Sequence, residues 1–415
     1  MIPALLPLYT RCEIDFTHAL GVYVFDKNNN KYLDFSSGYA ALALGHCHPK
    51  MIEALTNQAK KVWHLSNRFK IPGLLEYCER LVKVSAFADT VFMANSGAEA
   101  VECMIKMGRR YFSAQGKAHK YRFITFEAAF HGRTMACISA GSSDKIKGYE
   151  PPLDGFDRVH WHDISAVKAA ITDATAGIIM EPVQGEGGMR AADPWFMKEI
   201  EKICRDNGIL LMLDEVQCGM GRTGYMFAYQ MYDVKPDLVA LGKGIGSGFP
   251  VSACLATEAV GKAMSPHTHG STFGGNPLAV AVASSVLDVM TETNFLPHVN
   301  KVSAYLKTRL LELKEKHFDY IDSITGVALM TGIKLKDNVD ASIATEFCID
   351  EKLLSTYASN NVLRITPPLI ITEAHCDEAV DKFDKALVKM HSKKAMTVKK
   401  VKKGLTKVKQ KLGLV

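Results

Sequence analysis

With 415 residues, 47% of them hydrophobic and 23% charged, the chain has the balance of an ordinary globular protein and the length for two or three domains. Disordered, collagen-like and small disulfide-stapled classes are excluded. Fifty Lys and Arg against 44 Asp and Glu give a net charge of +6, but nine lysines and no acid fall in residues 391–415, so only the tail is basic.

The opening Met1-Ile2-Pro3-Ala4-Leu5-Leu6-Pro7 lacks the basic start and apolar length of a secretory signal. Ten scattered cysteines without a CxxC pair read as reduced thiols in a cytoplasm. No uncharged apolar run nears the ~20 residues that span a bilayer. Residues 21–25 and 32–35 flank Asp26-Lys27-Asn28-Asn29-Asn30 in a hairpin-like pattern. From residue 90 short apolar runs alternate with helical patterns, as in an α/β fold with a mostly parallel sheet and crossover helices. Strands are predicted at 90–94, 122–126, 176–180, 209–213, 238–241 and 251–256, apolar throughout and so buried on both faces. Helical spacing returns after residue 297 in Val302, Tyr305, Leu306, Leu310 and Leu313, followed by strands near 328–335 and 362–365.

These patterns divide the chain into an N-terminal segment of a smaller α+β domain (1–50), a large domain (51–296), the C-terminal part of the smaller one (297–390) and a tail (391–415). In the tail Val398, Val401, Leu405, Val408, Leu412 and Val415 form one stripe of a lysine-faced helix. It would meet an anionic membrane surface, a partner helix or nucleic acid, or, broken by Gly404 and Gly413, stay a solvated extension.

Lys243 is not a Walker lysine, Gly242-x-Gly244-x-Gly246-x-Gly248 does not fit GxGxxG, and GxSxG and HExxH are absent. His46-Cys47-His48 reads as a turn before Pro49 rather than a metal site, because adjacent residues rarely converge on one ion. No metal is expected. The chemistry falls to two charged residues at the ends of apolar strands. Asp214 closes the run 209–213, where a carboxylate is desolvated and needs a partner. Lys243 follows the run 238–241, where burial favours a neutral, nucleophilic amine. A lysine and an acid so placed fit pyridoxal phosphate, which needs an amine for its aldehyde and a carboxylate for its ring nitrogen. Alone, each is as well explained by a salt bridge. The third element is Ser96-Gly97-Ala98, which opens a helix predicted over 99–110 and offers backbone N–H groups to a phosphate, although Asn95 or Ser96 would serve equally as an ordinary cap.

Asn95-Ser96-Gly97-Ala98-Glu99-Ala100, Phe130-His131-Gly132-Arg133-Thr134, Glu181-Pro182-Val183-Gln184-Gly185-Glu186-Gly187-Gly188, Asp214-Glu215-Val216-Gln217, Gly219-Met220-Gly221-Arg222-Thr223-Gly224, Leu241-Gly242-Lys243-Gly244 and Gly270-Ser271-Thr272 follow one another along the chain. In that order they resemble the class III pyridoxal-phosphate aminotransferases, and within them the acetylornithine branch. The resemblance runs from Ile2 to about Met390.

It implies a fold-type-I homodimer with shared active sites, with Lys243 carrying the cofactor and moving the proton and Asp214 keeping the ring nitrogen protonated. Phe130 and Val216 would cover the two ring faces, Glu215 and Gln217 would line the cofactor, and Ser96, Gly97 and Ala98 would bind the phosphate together with Thr272 of the neighbouring subunit. Arg133 and Arg364 would each clamp a carboxylate, Glu186 would mask Arg364 when none is present, and Ser271 would touch the acetylated substrate. The implied reaction moves the δ-amino group of N2-acetyl-L-ornithine to 2-oxoglutarate in arginine biosynthesis. Tyr39 departs from the acetylornithine branch, where an aliphatic residue is common, and matches ornithine δ-aminotransferases. Ornithine and 4-aminobutyrate are the rival donors, succinyldiaminopimelate transamination would be a side activity, and a non-catalytic protein acting through its basic tail is the rival of another class.

Overall fold

The computed structural model describes residues 4 to 390, so the stripe in the tail lies outside the described residues. Near the N-terminus β1 (Phe16–Leu20), β2 (Tyr23–Asp26) and β3 (Lys31–Asp34) form an antiparallel meander, in which Tyr23 faces Leu33 across the hairpin foreseen around Asn28.

The central sheet takes its strands from β4 (Thr90–Ala94), β5 (Arg122–Phe126), β6 (Phe156–Val159), β7 (Thr175–Met180), β10 (Leu210–Asp214), β11 (Leu238–Leu241) and β12 (Ser252–Ala256), while β8 (Val183–Gln184) and β9 (Arg190–Ala191) make a separate small ribbon. Its order is β4-β12-β11-β10-β7-β5-β6. All of its strands run one way except β12, which is antiparallel to both β11 and β4. The architecture is thus α/β with a mostly parallel seven-stranded sheet.

Side chains alternate across this sheet. Ile178, Met180, Leu211, Leu213, Val239 and Leu241 enter one apolar layer, whereas Ala176, Ile179, Leu210, Met212, Leu238 and Ala240 enter the other. Period two therefore buries every residue of these strands, which is why their sequences are apolar throughout rather than alternating. Each large aliphatic side chain removed from water here contributes roughly 1.5–3 kcal/mol. The helix Gly97–Ser113 covers one face, and the other is covered by elements that include Pro194–Asn207 and Pro277–Met290.

Beyond the central sheet come the helix Phe295–Lys316 and the strands β13 (Ile321–Val327), β14 (Met330–Leu335), β15 (Leu353–Leu354), β16 (Thr356–Ala358) and β17 (Val362–Ile365). β15 pairs in parallel with β3, so both ends of the chain share a sheet. β17 lies between β14 and β16, with Gly332 and Thr356 opposite Arg364.

Candidate active site

β4, β5, β7, β10 and β11 end along one edge of the sheet, and the candidate residues leave from those ends. After β4 the chain turns at Ser96, whose hydroxyl caps the next helix by accepting the Glu99 N–H at 3.3 Å. Glu99 answers by accepting the Asn95 N–H and the Ser96 hydroxyl, both at 3.0 Å, a reciprocal lock that leaves the N–H groups of Gly97 and Ala98 directed by the helix start. Only glycine fits at 97: a Cβ there would lie 2.6 Å from Val216 Cγ1. The phosphate cradle foreseen at 96–98 is thereby pressed against the turn that follows Asp214.

Asp214 is buried, with Oδ2 2.7 Å from His131 Nδ1 and Oδ1 accepting the Val216 N–H at 3.0 Å. Burial pushes the His131 imidazole down, but the hydrogen bond to Asp214 and the charges of Asp214 and Glu181 outweigh it and hold the ring above its ordinary value. His131 thus backs the carboxylate of Asp214. Gln217 fills the space left by the missing side chain of Gly185, where a Cβ would lie 1.7 Å from its Oε1. That Oε1 is a buried polar atom without a partner among the described residues.

Lys243 stands just past β11 in a left-handed backbone conformation (φ 46°), and its amine has no hydrogen-bond or ion-pair partner among the described residues. Burial lowers its amine to about 8, and the Arg364 charge adds to the effect while Asp214, Glu181 and Glu186 oppose it. The consequence is testable in apoprotein. Labelling of Lys243 by an amine-selective reagent should rise with pH around a midpoint near 8, move up in Arg364→Met and move down in Glu186→Gln. A midpoint that ignores both substitutions would mean that neither charge reaches the amine.

Arg364 is 2% exposed and gives Nη2 to Glu186 Oε2 at 2.5 Å and to the Tyr357 carbonyl at 3.2 Å. Its guanidinium carbon lies 5.4 Å from the centre of the Tyr39 ring. Tyr39 belongs to a left-handed turn in which Ser37, Gly38, Tyr39 and Ala40 all have positive φ, between 47° and 67°. Such a run is strained for non-glycine residues and persists only when its surroundings dictate it. They do: Asp34 accepts the Ser36 and Ser37 N–H groups at 2.9 Å and pairs with His46 at 2.9 Å, and Thr366 ties Phe35 and Ser36 to the end of β17. The histidine of His46-Cys47-His48 thus serves this turn, and His48 precedes the helix Pro49–Ala59.

Other candidates lie further out. Arg133 is exposed, with its guanidinium carbon 5.4 Å from the Phe130 ring centre. Ser271 accepts Asn95 Nδ2 at 3.1 Å beside the cradle, while Thr272 is exposed and makes no hydrogen bond among the described residues. Glu215 does a different job from the one expected of it. Its carboxylate accepts the Ala228 and Tyr229 N–H groups at 2.6 and 2.7 Å, and burial raises it to about 8, so the side chain serves the following loop.

Sequence reasoning assigned no role to His131, Glu181 or Arg222. Arg222 is 2% exposed and gives Nη1 to the carbonyls of Leu329 and Pro367, and burial lowers it to about 9. It joins the loop after Asp214 to the segment after Arg364. Its place among small residues in Gly219-Met220-Gly221-Arg222-Thr223-Gly224 was the one signal.

A half-buried amine of lowered basicity, a carboxylate paired with a histidine, a helix start able to take a phosphate and a buried amide oxygen without a partner among the described residues fit a pyridoxal phosphate group. The family model described as aminotransferase class-III matches residues 8–387. Acetylornithine aminotransferase 1 of Bradyrhizobium diazoefficiens is 46% identical over 391 residues, covering 94% of this chain and 96% of that relative. The N-acetylornithine aminotransferase of Stenotrophomonas maltophilia superposes with a TM-score of 0.80 at 34% identity, over 91% of this chain and 96% of that one. A Toxoplasma gondii ornithine aminotransferase, whose structure has pyridoxal phosphate at partial occupancy in the active site, superposes with a TM-score of 0.87 at 30% identity, over 91% of each chain.

Proposed function

The chain belongs to the class-III aminotransferases, enzymes that depend on pyridoxal 5′-phosphate, and from that membership we propose that it transfers the δ-amino group of N2-acetyl-L-ornithine to 2-oxoglutarate. The products are N-acetyl-L-glutamate 5-semialdehyde and L-glutamate, in arginine biosynthesis. The observation that carries this reading is the Arg364–Glu186 pair at 2.5 Å, a cation that can be presented or masked.

When bound, pyridoxal phosphate supplies an aldehyde that takes up the amino group and a protonated ring that withdraws electrons from the reacting carbon. Ser96, Gly97 and Ala98 would hold its phosphate and Asp214 would keep the proton on its ring nitrogen. Phe130 and Val216 would cover the ring and Gln217 would line it. Lys243 Nζ takes a proton from the reacting carbon and returns it, which requires a neutral amine at working pH. For the donor, Arg133 holds the distant α-carboxylate, Ser271 meets the acetyl group, and Arg364 stays on Glu186 because no carboxylate sits beside the reacting amine. For 2-oxoglutarate the α-carboxylate takes Arg364 from Glu186 while the γ-carboxylate occupies Arg133.

Trp63, Phe69, Leu75 and Phe273 are 58–72% exposed in the single chain, and His64 packs on Phe273 with ring centres 5.1 Å apart. Large exposed apolar side chains, one of them next to Thr272, support a homodimer in which Thr272 completes the partner's phosphate site. Ten free thiols support a cytoplasmic location. No helix among the described residues is long and apolar enough to cross a membrane.

Absorbance changes of the bound cofactor with a panel of amines test the assignment. N2-acetylornithine should show the highest kcat/KM, and a higher value for ornithine would overturn it. The ornithine reading is favoured by the Tyr39 ring beside Arg364, since its hydroxyl offers a polar contact that an aliphatic side chain lacks. Tyr39→Ile should therefore lower the ratio of ornithine to acetylornithine activity by about tenfold, in the range expected for one polar contact. An unchanged ratio would reduce Tyr39 to packing.

A further inference from the structure

Glu181 follows β7, is 5% exposed, and makes no ion-pair contact among the described residues. Burial pushes its carboxyl up to about 7, while the nearby His131 and two backbone N–H groups hold it down. Oε1 accepts the Phe130 N–H at 2.9 Å and Oε2 accepts the Gly185 N–H at 3.3 Å. Each donor adjoins one member of a buried pair. Phe130 precedes His131, the partner of Asp214, and Gly185 precedes Glu186, the partner of Arg364. Gln217 crowds the open side of Gly185, and the Glu186 carbonyl accepts the Ser359 N–H at 2.9 Å. The backbone on both sides of Glu186 is thus fixed, leaving its side chain as the part free to move.

We infer that Glu181 is a positioning residue that joins the Asp214–His131 pair and the Glu186–Arg364 pair into one unit, so that the masking carboxylate swings from a backbone locked to the cofactor seat. The inference rests on the two-substrate reading above and goes beyond it by assigning the residue that sets the geometry of the switch. Glutamine at 181 keeps the shape but turns an NH2 group toward one of the two N–H donors.

In holoenzyme, Glu181→Gln should lower kcat/KM of the N2-acetylornithine half-reaction about tenfold, the scale of one charge-assisted hydrogen bond. The glutamate half-reaction should fall less, because Arg364 then has the substrate carboxylate and only the effect on the Asp214–His131 side and on the Lys243 amine remains. Added to Glu186→Ala, Glu181→Gln should cost the donor half-reaction no more than it costs the glutamate half-reaction, since the selective part of its effect acts through the same switch. Hydrogen exchange at the Gly185 amide should quicken about tenfold in Glu181→Gln. Should Glu181→Gln not fold, Glu181→Asp, which keeps the charge but is too short to reach both donors, must show the same selective loss. A further selective loss of the donor half-reaction in the double variant, or unchanged exchange at Gly185, would overturn the inference. If Glu186→Ala shows no selectivity, the two-substrate reading fails, and the exchange measurement still decides whether Glu181 holds Gly185.

Discussion

Lys243→Ala is expected to give a folded protein that binds pyridoxal phosphate without a covalent link and loses turnover by roughly a thousandfold or more, the combined weight of covalent and acid–base catalysis. Folding should survive because the amine makes no hydrogen bond or ion pair among the described residues, and its removal takes a poorly solvated group out of the site. Nothing replaces it in the chemistry. The groups around the position are Arg364, Asp214, Glu181 and Glu186, one permanent cation and three carboxyls, and none offers a neutral amine. Steady-state turnover measures the loss, and borohydride reduction of the wild-type holoenzyme followed by peptide mapping identifies the attachment point. A label on any other lysine would remove the basis of the mechanism.

The second large effect is expected at the switch. In Glu186→Ala the Arg364 guanidinium keeps the Tyr357 carbonyl but loses its carboxylate, and Arg364 Nε is already a buried atom without a partner. Removing one partner of a well-buried pair costs about 3–5 kcal/mol. Glu186 is a third exposed, so water screens part of this and the kinetic effect should be about tenfold. The loss should fall on the amine-donor half-reaction, in which no substrate carboxylate reaches Arg364. The glutamate half-reaction supplies its own carboxylate and should be nearly spared. Arg364→Met should invert the pattern and raise the KM for glutamate and 2-oxoglutarate more than that for N2-acetylornithine. Single-turnover rates with each substrate read both variants. Equal losses in both half-reactions for both variants would show that the pair is structural and not a switch.

Much of the large sheet is legible in the sequence because burial on both faces leaves a local trace, an apolar run with polar or small residues at its end. That trace predicted β4, β5, β7, β10, β11 and β12 to within one or two residues and set Lys243 and Asp214 at strand ends. Where a strand is not doubly buried the trace fades. β6 has Asp157 and Arg158 at its centre and lies at the sheet edge, and β13 is half exposed, so neither was foreseen. The reversal of β12 was equally hidden, because hydrophobic period two is the same in either direction.

The sequence by itself determined which residues carry charge at strand ends, and the order of its motifs was enough to show the family. Only the tertiary structure decided which charges meet. His131 and Asp214 are 83 residues apart and Glu186 and Arg364 are 178 apart, and no local periodicity reports such distances. The same holds for Glu215, which stands in the motif beside Asp214 but finds its partners in the backbone of Ala228 and Tyr229. It holds for Glu181 and Arg222, which are buried without an ion pair among the described residues and are held by backbone N–H and carbonyl groups instead. Burial of a charge depends on everything packed around it, and that is settled only when distant segments close over the same site.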